Sequence, residues 1–137
     1  MKAFIDTSSL IKKYITEKGS KEFDDLLEEL SEIIVSPICF LELSSAIQHR
    51  IREKTLTQEQ AAWLQTEAQK DLYYFSQVIW NENLEQKAVE MIRKHHLKTL
   101  DSLQLASAIL SKADRFITSD KSLESTAKKE ITHVLFI

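Results

Sequence analysis

The sequence predicts an α/β protein, a three-layer α/β/α sandwich in which helices cover both faces of a central parallel sheet. Short apolar segments of strand length alternate along the chain with longer segments whose apolar residues recur every three or four positions. Most strands run directly into a polar residue and a helix start, and such crossovers are the connections that parallel strands need. The chain has 137 residues and no internal repeat or linker, so we expect one domain spanning residues 1–137.

The composition is that of an ordinary globular protein, with 43% hydrophobic and 28% charged residues. Cys39 is the single cysteine, which excludes an internal disulfide and fits a reducing cytoplasm. Asp6 interrupts the only N-terminal apolar run and no apolar run approaches ~20 residues, so we expect neither a signal peptide nor a membrane span. One glycine and one proline are too few for a glycine-rich dinucleotide or phosphate-binding loop.

The first predicted strand, residues 2–5, ends in Asp6. Three hydroxyl residues follow at positions 7–9, and one of them is expected to cap a short helix over residues 10–14. An acid directly after a strand lies at the carboxyl edge of a parallel sheet, where α/β proteins bind their ligands. Asp6 could serve only as a helix cap. Because three other residues are available for capping, we favour a functional role for Asp6.

The next elements are predicted from the residues at their starts. Ser20 is expected to cap an amphipathic helix, and residues 33–35 form a short apolar strand. Ser36 and Pro37 are a favoured pair for starting a helix, with Ser as the cap and Pro in the first helical position.

Glu42 stands out on that helix because it is the only acid between Ile33 and Arg52. A carboxylate in apolar surroundings is costly unless it is paired or bound to a metal ion, so its presence suggests a site. The alternative is an exposed position on a polar stripe that also contains Ser45 and His49.

A second long helix is expected to begin at Thr57, which forms a capping box with Gln60. Together with the preceding helix it predicts an antiparallel hairpin that turns at residues 53–56. Four aromatic side chains on it are expected to lie in the core or in a groove for a partner, with base stacking as a weaker alternative: Trp63, Tyr73, Tyr74 and Phe75.

Residues 78–80 predict a third strand, and Asn81 is expected to cap the helix that follows it. That helix ends in a basic run, residues 93–98, which either complements the helix dipole or binds a phosphate backbone. A surface helix over residues 123–129 and a strand over residues 131–137 are expected to complete the fold. The inner face of the helix capped by Asn81 is predicted to contain Leu84, Ala88, Val89 and Ile92.

The segment 97–120 combines a buried helix with a strand and has an acid at the start of the helix and after the strand. Thr99 is expected to cap the helix, which places Asp101 in its first turn, at the positive end of the helix dipole. The strand contains residues 116 and 117, and a polar cluster that includes Asp120 follows it. Dipole compensation by Asp101 and turn formation by Asp120 are the alternatives to a shared site.

The net charge of −3 does not exclude a nucleic-acid partner, because the position of the charges matters more than their sum. If four acids were sequestered around a metal ion, 18 basic and 17 acidic side chains would remain. That balance is compatible with RNA but does not argue for it.

Four sequence blocks resemble, in order and at similar spacing, those of the PIN domain, in the single-domain form found in VapC-type toxins: FIDTSSL, SPICFLELSSA, LDSLQLASAI and FITSD. The resemblance covers essentially the whole chain. It assigns the four acids of the family to Asp6, Glu42, Asp101 and Asp120, and the supporting hydroxyl to Thr118, with Ser8 as a weaker candidate. Lys121 and Ser122 stand where the family often has a further acid or Asn.

The resemblance implies a sheet of order 3-2-1-4-5, a homodimer, an antitoxin partner and endoribonuclease activity on tRNA or ribosomal RNA. The four acids and Thr118 would form the catalytic site, with Asp6 and Asp101 as principal ligands of Mg²⁺ or Mn²⁺ and Glu42 and Asp120 holding a second metal ion or water. Hard cations of this kind prefer oxygen ligands, so carboxylates without Cys or His suffice. The products would carry a 5′-phosphate and a 3′-hydroxyl.

Other classes of protein fit the residues less well. A phosphotransfer enzyme with an aspartyl nucleophile should have a second acid two residues after Asp6, where Ser8 stands, and a response-regulator receiver should have paired acids near Asp6. A non-catalytic PIN scaffold that binds RNA or protein is the strongest alternative. Such a scaffold should have lost at least one of the four acids, and none is lost.

Overall fold

Five parallel strands form the centre of the protein, and a computed structural model describes all of its residues, 1–137. The strands are β1 (Lys2–Ile5), β2 (Glu32–Val35), β3 (Ser76–Gln77), β4 (Arg115–Thr118) and β5 (Val134–Phe136). Their order in the sheet is β3-β2-β1-β4-β5, and every neighbouring pair is parallel. The predicted α/β class and the order 3-2-1-4-5 are therefore confirmed.

Helices pack on both faces of the sheet, which gives the three predicted layers. The helices are α1 (Thr7–Leu10, continued by a 3₁₀ turn at Ile11–Lys13), α2 (Ser20–Leu27), α3 (Cys39–Arg52), α4 (Gln58–Tyr74), α5 (Glu82–His95), α6 (Thr99–Ser111) and α7 (Lys121–Ala127). Side chains of β1 alternate between the faces: Ala3 and Ile5 pack with the buried residues of α1 to α4, and Phe4 packs with those of α5 to α7. Burial on both sides explains why β1 is apolar from Ala3 onward.

Two helix starts near the candidate acids differ from the prediction. No hydroxyl caps α1, because Asp6 occupies the cap position and its backbone carbonyl accepts bonds from Ser9 N and Leu10 N, both at 3.0 Å. Helix α6 is capped by the extended backbone of Lys98, and Thr99 is already helical. The hydroxyls of residues 7 and 8 are thereby free to bind other groups.

Two further serines predicted as caps have other positions. Gly19, with a φ of 89°, occupies the cap position of α2, and Ser20 Oγ instead closes the preceding loop by accepting a bond from Glu17 N at 2.9 Å. Helix α3 begins at Cys39, two residues after Pro37, and Ser36 Oγ is buried without a hydrogen-bond partner. The capping predictions for Thr57 with Gln60 and for Asn81 are confirmed.

The third strand lies two residues upstream of its predicted position, at Ser76–Gln77 instead of residues 78–80. Its two residues pair with Ile34 and Val35, and β2 ends there, so the apolar residues that follow have no further strand to pair with. The apolar face of α5 also differs: Leu84, Ala88 and Met91 are buried, whereas Val89 is exposed.

The hairpin of α3 and α4 is formed as predicted, but three of its aromatic side chains are exposed and lie outside the core: Trp63, Tyr73 and Tyr74. The last helix, α7, begins two residues earlier than predicted, and the last strand is shorter than predicted. No helix combines the length and the apolar character that crossing a bilayer would require.

Candidate active site

The candidate site lies at the carboxyl edge of the two central strands. Asp6 directly follows β1, and Asp120 comes two residues after the end of β4. The strands are neighbours in the sheet, and Asp6 N donates to Ile117 O at 3.0 Å. Parallel pairing therefore places together two segments that are more than a hundred residues apart in the chain.

A group of hydroxyls holds the Asp6 carboxylate. Thr118 Oγ1 donates to Asp6 Oδ2 at 2.7 Å, and Ser8 Oγ donates to the same oxygen at 2.8 Å. The two hydroxyls are 3.3 Å apart. Backbone donors complete the group, because Asp120 N binds Thr118 Oγ1 at 3.1 Å and Ser119 N binds Ser8 Oγ at 3.0 Å. Thr118 and Ser8, the two hydroxyl candidates from the sequence, are thus both in contact with Asp6.

Glu42 is half-buried in the first turn of α3, and its carboxylate binds two buried side chains. Glu42 Oε1 accepts a bond from Thr7 Oγ1 at 3.1 Å and another from Gln104 Nε2. Ser45 and His49, the other members of the proposed polar stripe, are exposed. Glu42 is therefore not at the exposed position that the alternative interpretation requires.

Asp101 and Asp120 lie at the starts of α6 and α7 and are both half-buried. Asp120 does cap its helix, since Oδ1 accepts a bond from Leu123 N at 3.0 Å. The charge of Asp120 raises the pKa of both Asp6 and Asp101, so the capping role does not separate it from the other acids.

The four acids form one electrostatic unit. Burial raises the pKa of Asp6, of Glu42 and of Asp101, and in each case the negative charge of another of the four acids raises it further. Hydrogen bonds from Thr118 and Ser8 to Asp6 oppose this effect, as do those from Gln104 and Thr7 to Glu42. Without a compensating cation, the ionised site is therefore under mutual repulsion.

The donor set fits a hard divalent cation. Three acids use one carboxylate oxygen for hydrogen bonds within the protein, and the other oxygen receives no side-chain donor: Asp6, Glu42 and Asp120. No three His, Cys, Asp or Glu side chains are close enough to surround a single ion. Mg²⁺ is commonly bound by only one or two carboxylates and keeps several waters, so a tighter cluster is not required.

The single cysteine, Cys39, lies near these acids. Burial raises the pKa of its thiol to about 12, so the thiol is neutral at pH 7.

The basic run at the end of α5 divides between two tasks. Lys94 and His95 bind Glu130, at 2.6 Å and 2.7 Å, and so attach α5 to the segment that follows α7. The positive charge of Lys98 lowers the pKa of Asp101, which indicates that the two side chains lie near each other. Of these cations, Lys98 is the one that contributes to the electrostatics of the acids.

Gln104 and Thr7 belong to the site and were missed from the sequence. Gln104 is buried in α6 and donates to Thr7 Oγ1 at 3.1 Å as well as to Glu42. A signal was present, because Gln104 follows Asp101 by three residues and so shares its face, on a helix whose other residues are mostly apolar or small. The sequence predicts Thr7 only as a possible cap.

Solved structures with the same fold include a toxin and a chain of a toxin–antitoxin complex. A toxin–antitoxin complex from Klebsiella pneumoniae contains a chain with a TM-score of 0.69 and 19% identity, with 97% of this chain and 95% of that chain covered. VapC20 from Mycobacterium tuberculosis, described as a sarcin–ricin loop cleaving toxin, has a TM-score of 0.70 and 14% identity, with 90% and 93% covered. VapBC-1 from nontypeable Haemophilus influenzae has a TM-score of 0.68 and 14% identity, with 99% and 98% covered.

At these identities the neighbours show a shared fold. No curated protein matches the chain in sequence. The family model of the PIN domain, however, matches residues 3–129, a span that includes all four acids, Thr118 and the whole network around them. The chain therefore belongs to the PIN domain family.

Proposed function

We propose that the protein is a metal-dependent endoribonuclease, a VapC-like toxin inhibited by a cognate antitoxin. The observation that carries the proposal is the placement of four carboxylates at the carboxyl edge of the sheet, three of them with one oxygen bound within the protein and a second oxygen that receives no side-chain hydrogen bond. The family and the toxins among its structural neighbours support the same activity.

In this proposal Asp6 and Asp101 are the principal ligands of Mg²⁺ or Mn²⁺, while Glu42 and Asp120 bind a second ion or orient water. A bound divalent cation would polarise a phosphoryl oxygen and lower the pKa of a water molecule. Thr118 and Ser8 hold Asp6 in one orientation through Oδ2. Hydrolysis of the phosphodiester would leave a 5′-phosphate and a 3′-hydroxyl.

The RNA backbone requires cations near the acids, and Lys98 is placed to supply one because it is exposed and lies near Asp101. The M. tuberculosis neighbour is named for cleaving the sarcin–ricin loop. We infer RNA as the substrate class for this chain, with tRNA and ribosomal RNA as the candidates.

A groove of about 450 Å³ runs along α3 from Glu42 and is a candidate for the antitoxin. It is flanked by Leu41 and Leu100, which are 69% and 52% exposed. We propose that an antitoxin tail lies there and brings an Arg toward the carboxylates, in competition with the metal ion. A structure of the complex with the tail elsewhere and the carboxylates free would overturn this proposal.

We further propose that the protein is a homodimer, as the toxin family suggests. Light scattering on the purified protein tests this proposal: a mass of twice 15.9 kDa is expected, and a monomer at all concentrations would contradict it.

Calorimetric titration with Mn²⁺ and Mg²⁺ tests the proposed activity against a non-catalytic scaffold. The wild type is expected to bind the cation and to cleave RNA with Mg²⁺ but not with a chelator. Asp101→Asn should lose both properties, whereas Asp25→Asn on the exposed face of α2 should keep them. A wild-type protein that binds neither cation and leaves RNA intact would overturn the proposal.

A further inference from the structure

Gln104 is the one buried side chain that joins the helix of Asp101 to the carboxylate of Glu42. It is 2% exposed. Its single amide nitrogen donates both to Glu42 Oε1 and to Thr7 Oγ1, the latter at 3.1 Å. Thr7 Oγ1 in turn donates to Glu42 Oε1 at 3.1 Å. The three side chains thus form a closed triangle that connects α1, α3 and α6.

The orientation of the Gln104 amide follows from this triangle. The reverse orientation would place its carbonyl oxygen against the carboxylate oxygen of Glu42, two acceptors in contact. In the observed orientation, Gln104 Oε1 is buried without a hydrogen-bond partner. A buried unsatisfied acceptor is unfavourable, so the bonds made by the amide nitrogen must outweigh that penalty.

Both donors in the triangle bind the same oxygen of Glu42, Oε1. Oε2 receives no side-chain hydrogen bond and is the oxygen available to a ligand. Two donors on one oxygen restrict rotation of the carboxylate, which a half-buried Glu on the first turn of a helix would otherwise retain.

We propose that Gln104 is a positioning residue that holds Glu42 through Oε1 and so presents Oε2 to the divalent cation. The proposal rests on the proposed metal-dependent function. Asn at this position would be too short to reach Glu42, Glu would add a repelling charge, and Leu would have no donor. A donor that orients a metal ligand typically contributes a factor of about 10 to 100 in metal affinity.

Mn²⁺ titration of Gln104→Leu, by calorimetry and by the electron paramagnetic resonance signal of free Mn²⁺, tests the proposal. The Mn²⁺ Kd is expected to rise about tenfold relative to wild type. Ser107→Ala is the matched control, because Ser107 is equally buried one turn later on α6 and its hydroxyl has no partner. This control should keep the wild-type Kd.

The same substitution in a Glu42→Gln background separates positioning from a general structural effect. If Gln104 acts through the Glu42 carboxylate, Gln104→Leu should add less than about twofold to the Mn²⁺ Kd of Glu42→Gln. An equal tenfold effect in both backgrounds would overturn the proposal.

Thr7→Val provides a second test should Gln104→Leu fold poorly. It removes one donor to Glu42 Oε1 at nearly constant volume, so a smaller rise in the Mn²⁺ Kd, about threefold, is expected. If neither Gln104→Leu nor Thr7→Val changes the Kd, the inference fails while the proposed function stands. Failure of the wild type itself to bind Mn²⁺ would instead overturn the proposed function.

Discussion

Replacing Asp6 with Asn is expected to stabilise the metal-free protein at neutral pH. Asp6 is 4% exposed, and burial raises the pKa of its carboxyl, with the charge of Asp120 raising it further. Below the unfolded pKa of about 3.9, the carboxyl is protonated in both states and there is no penalty. As the pH rises, the unfolded chain ionises first, so the free energy of unfolding falls until the pH exceeds the folded pKa. The penalty is therefore present at pH 7, well above the unfolded pKa.

The expected gain is on the order of 1 kcal/mol, because two effects of the substitution oppose each other. Asn removes the buried charge and its repulsion from the other acids. Its carbonyl oxygen still accepts the bonds from Thr118 and Ser8, but each bond to a neutral acceptor is weaker by about 1 kcal/mol than one to a carboxylate. A net gain of this size corresponds to a rise in Tm of roughly 4 °C for a chain of this length.

Thermal melts of the wild type, Asp6→Asn and the exposed control Asp24→Asn measure the effect. In chelator at pH 7, Asp6→Asn should melt above the wild type and Asp24→Asn should not. The advantage should shrink toward about pH 4, where the unfolded carboxyl is half protonated. Saturating Mg²⁺ should reduce or reverse it, because only the wild type recovers the binding energy. If Asp6→Asn melts lower than the wild type in chelator at pH 7, the four acids do not form a strained common site.

Three further substitutions test separate parts of the account. Asp101→Asn should abolish RNA cleavage. Its free energy of unfolding, measured in urea, should change by less than about 1 kcal/mol. Full activity at matched Mg²⁺ would contradict the assignment of Asp101 to the active site. Thr118→Val removes a donor to Asp6, the proposed metal ligand, and should raise the Mn²⁺ Kd about tenfold; an unchanged Kd would exclude its supporting role. Glu130→Gln should lower the free energy of unfolding by about 1–2 kcal/mol at pH 7, because its neutral amide oxygen accepts weaker bonds from Lys94 and His95 than the carboxylate does. Bonds from these two residues lower the pKa of Glu130, so the difference should vanish as acid protonates the wild-type carboxylate, and a pH-independent difference would refute this cause.

The positions of the acids could be predicted because each stands at a boundary that local sequence defines. Asp6 comes directly after a short apolar strand, Asp120 follows another within two residues, and Asp101 is in the first turn of a buried helix. Glu42 was identified by its isolation among apolar residues. Since parallel strands share one carboxyl edge, these boundaries were enough to predict a common location.

The errors concern residues whose roles depend on tertiary contacts. The sequence predicts hydroxyl residues near helix starts as caps, but Ser8 binds Asp6 and Ser20 closes a loop. The extent of β3 depends on where β2 ends, which the sequence of β3 does not encode. Gln104 acquires its role only because α3 places Glu42 beside α6, and the predicted burial of the helix does not indicate which side chains Gln104 contacts.

The chemistry of the RNA ends tests the central claim most directly. Total RNA is treated with the purified protein in Mg²⁺ and in chelator, and new 5′ ends are mapped by adaptor ligation that requires a 5′-phosphate. If metal ions bound by the carboxylates activate water, the new RNA ends should be discrete and should ligate without kinase treatment. The opposite ends should be 3′-hydroxyls, and no new ends should form in chelator. Cleavage that persists in chelator, or ends that ligate only after kinase treatment, would contradict the account.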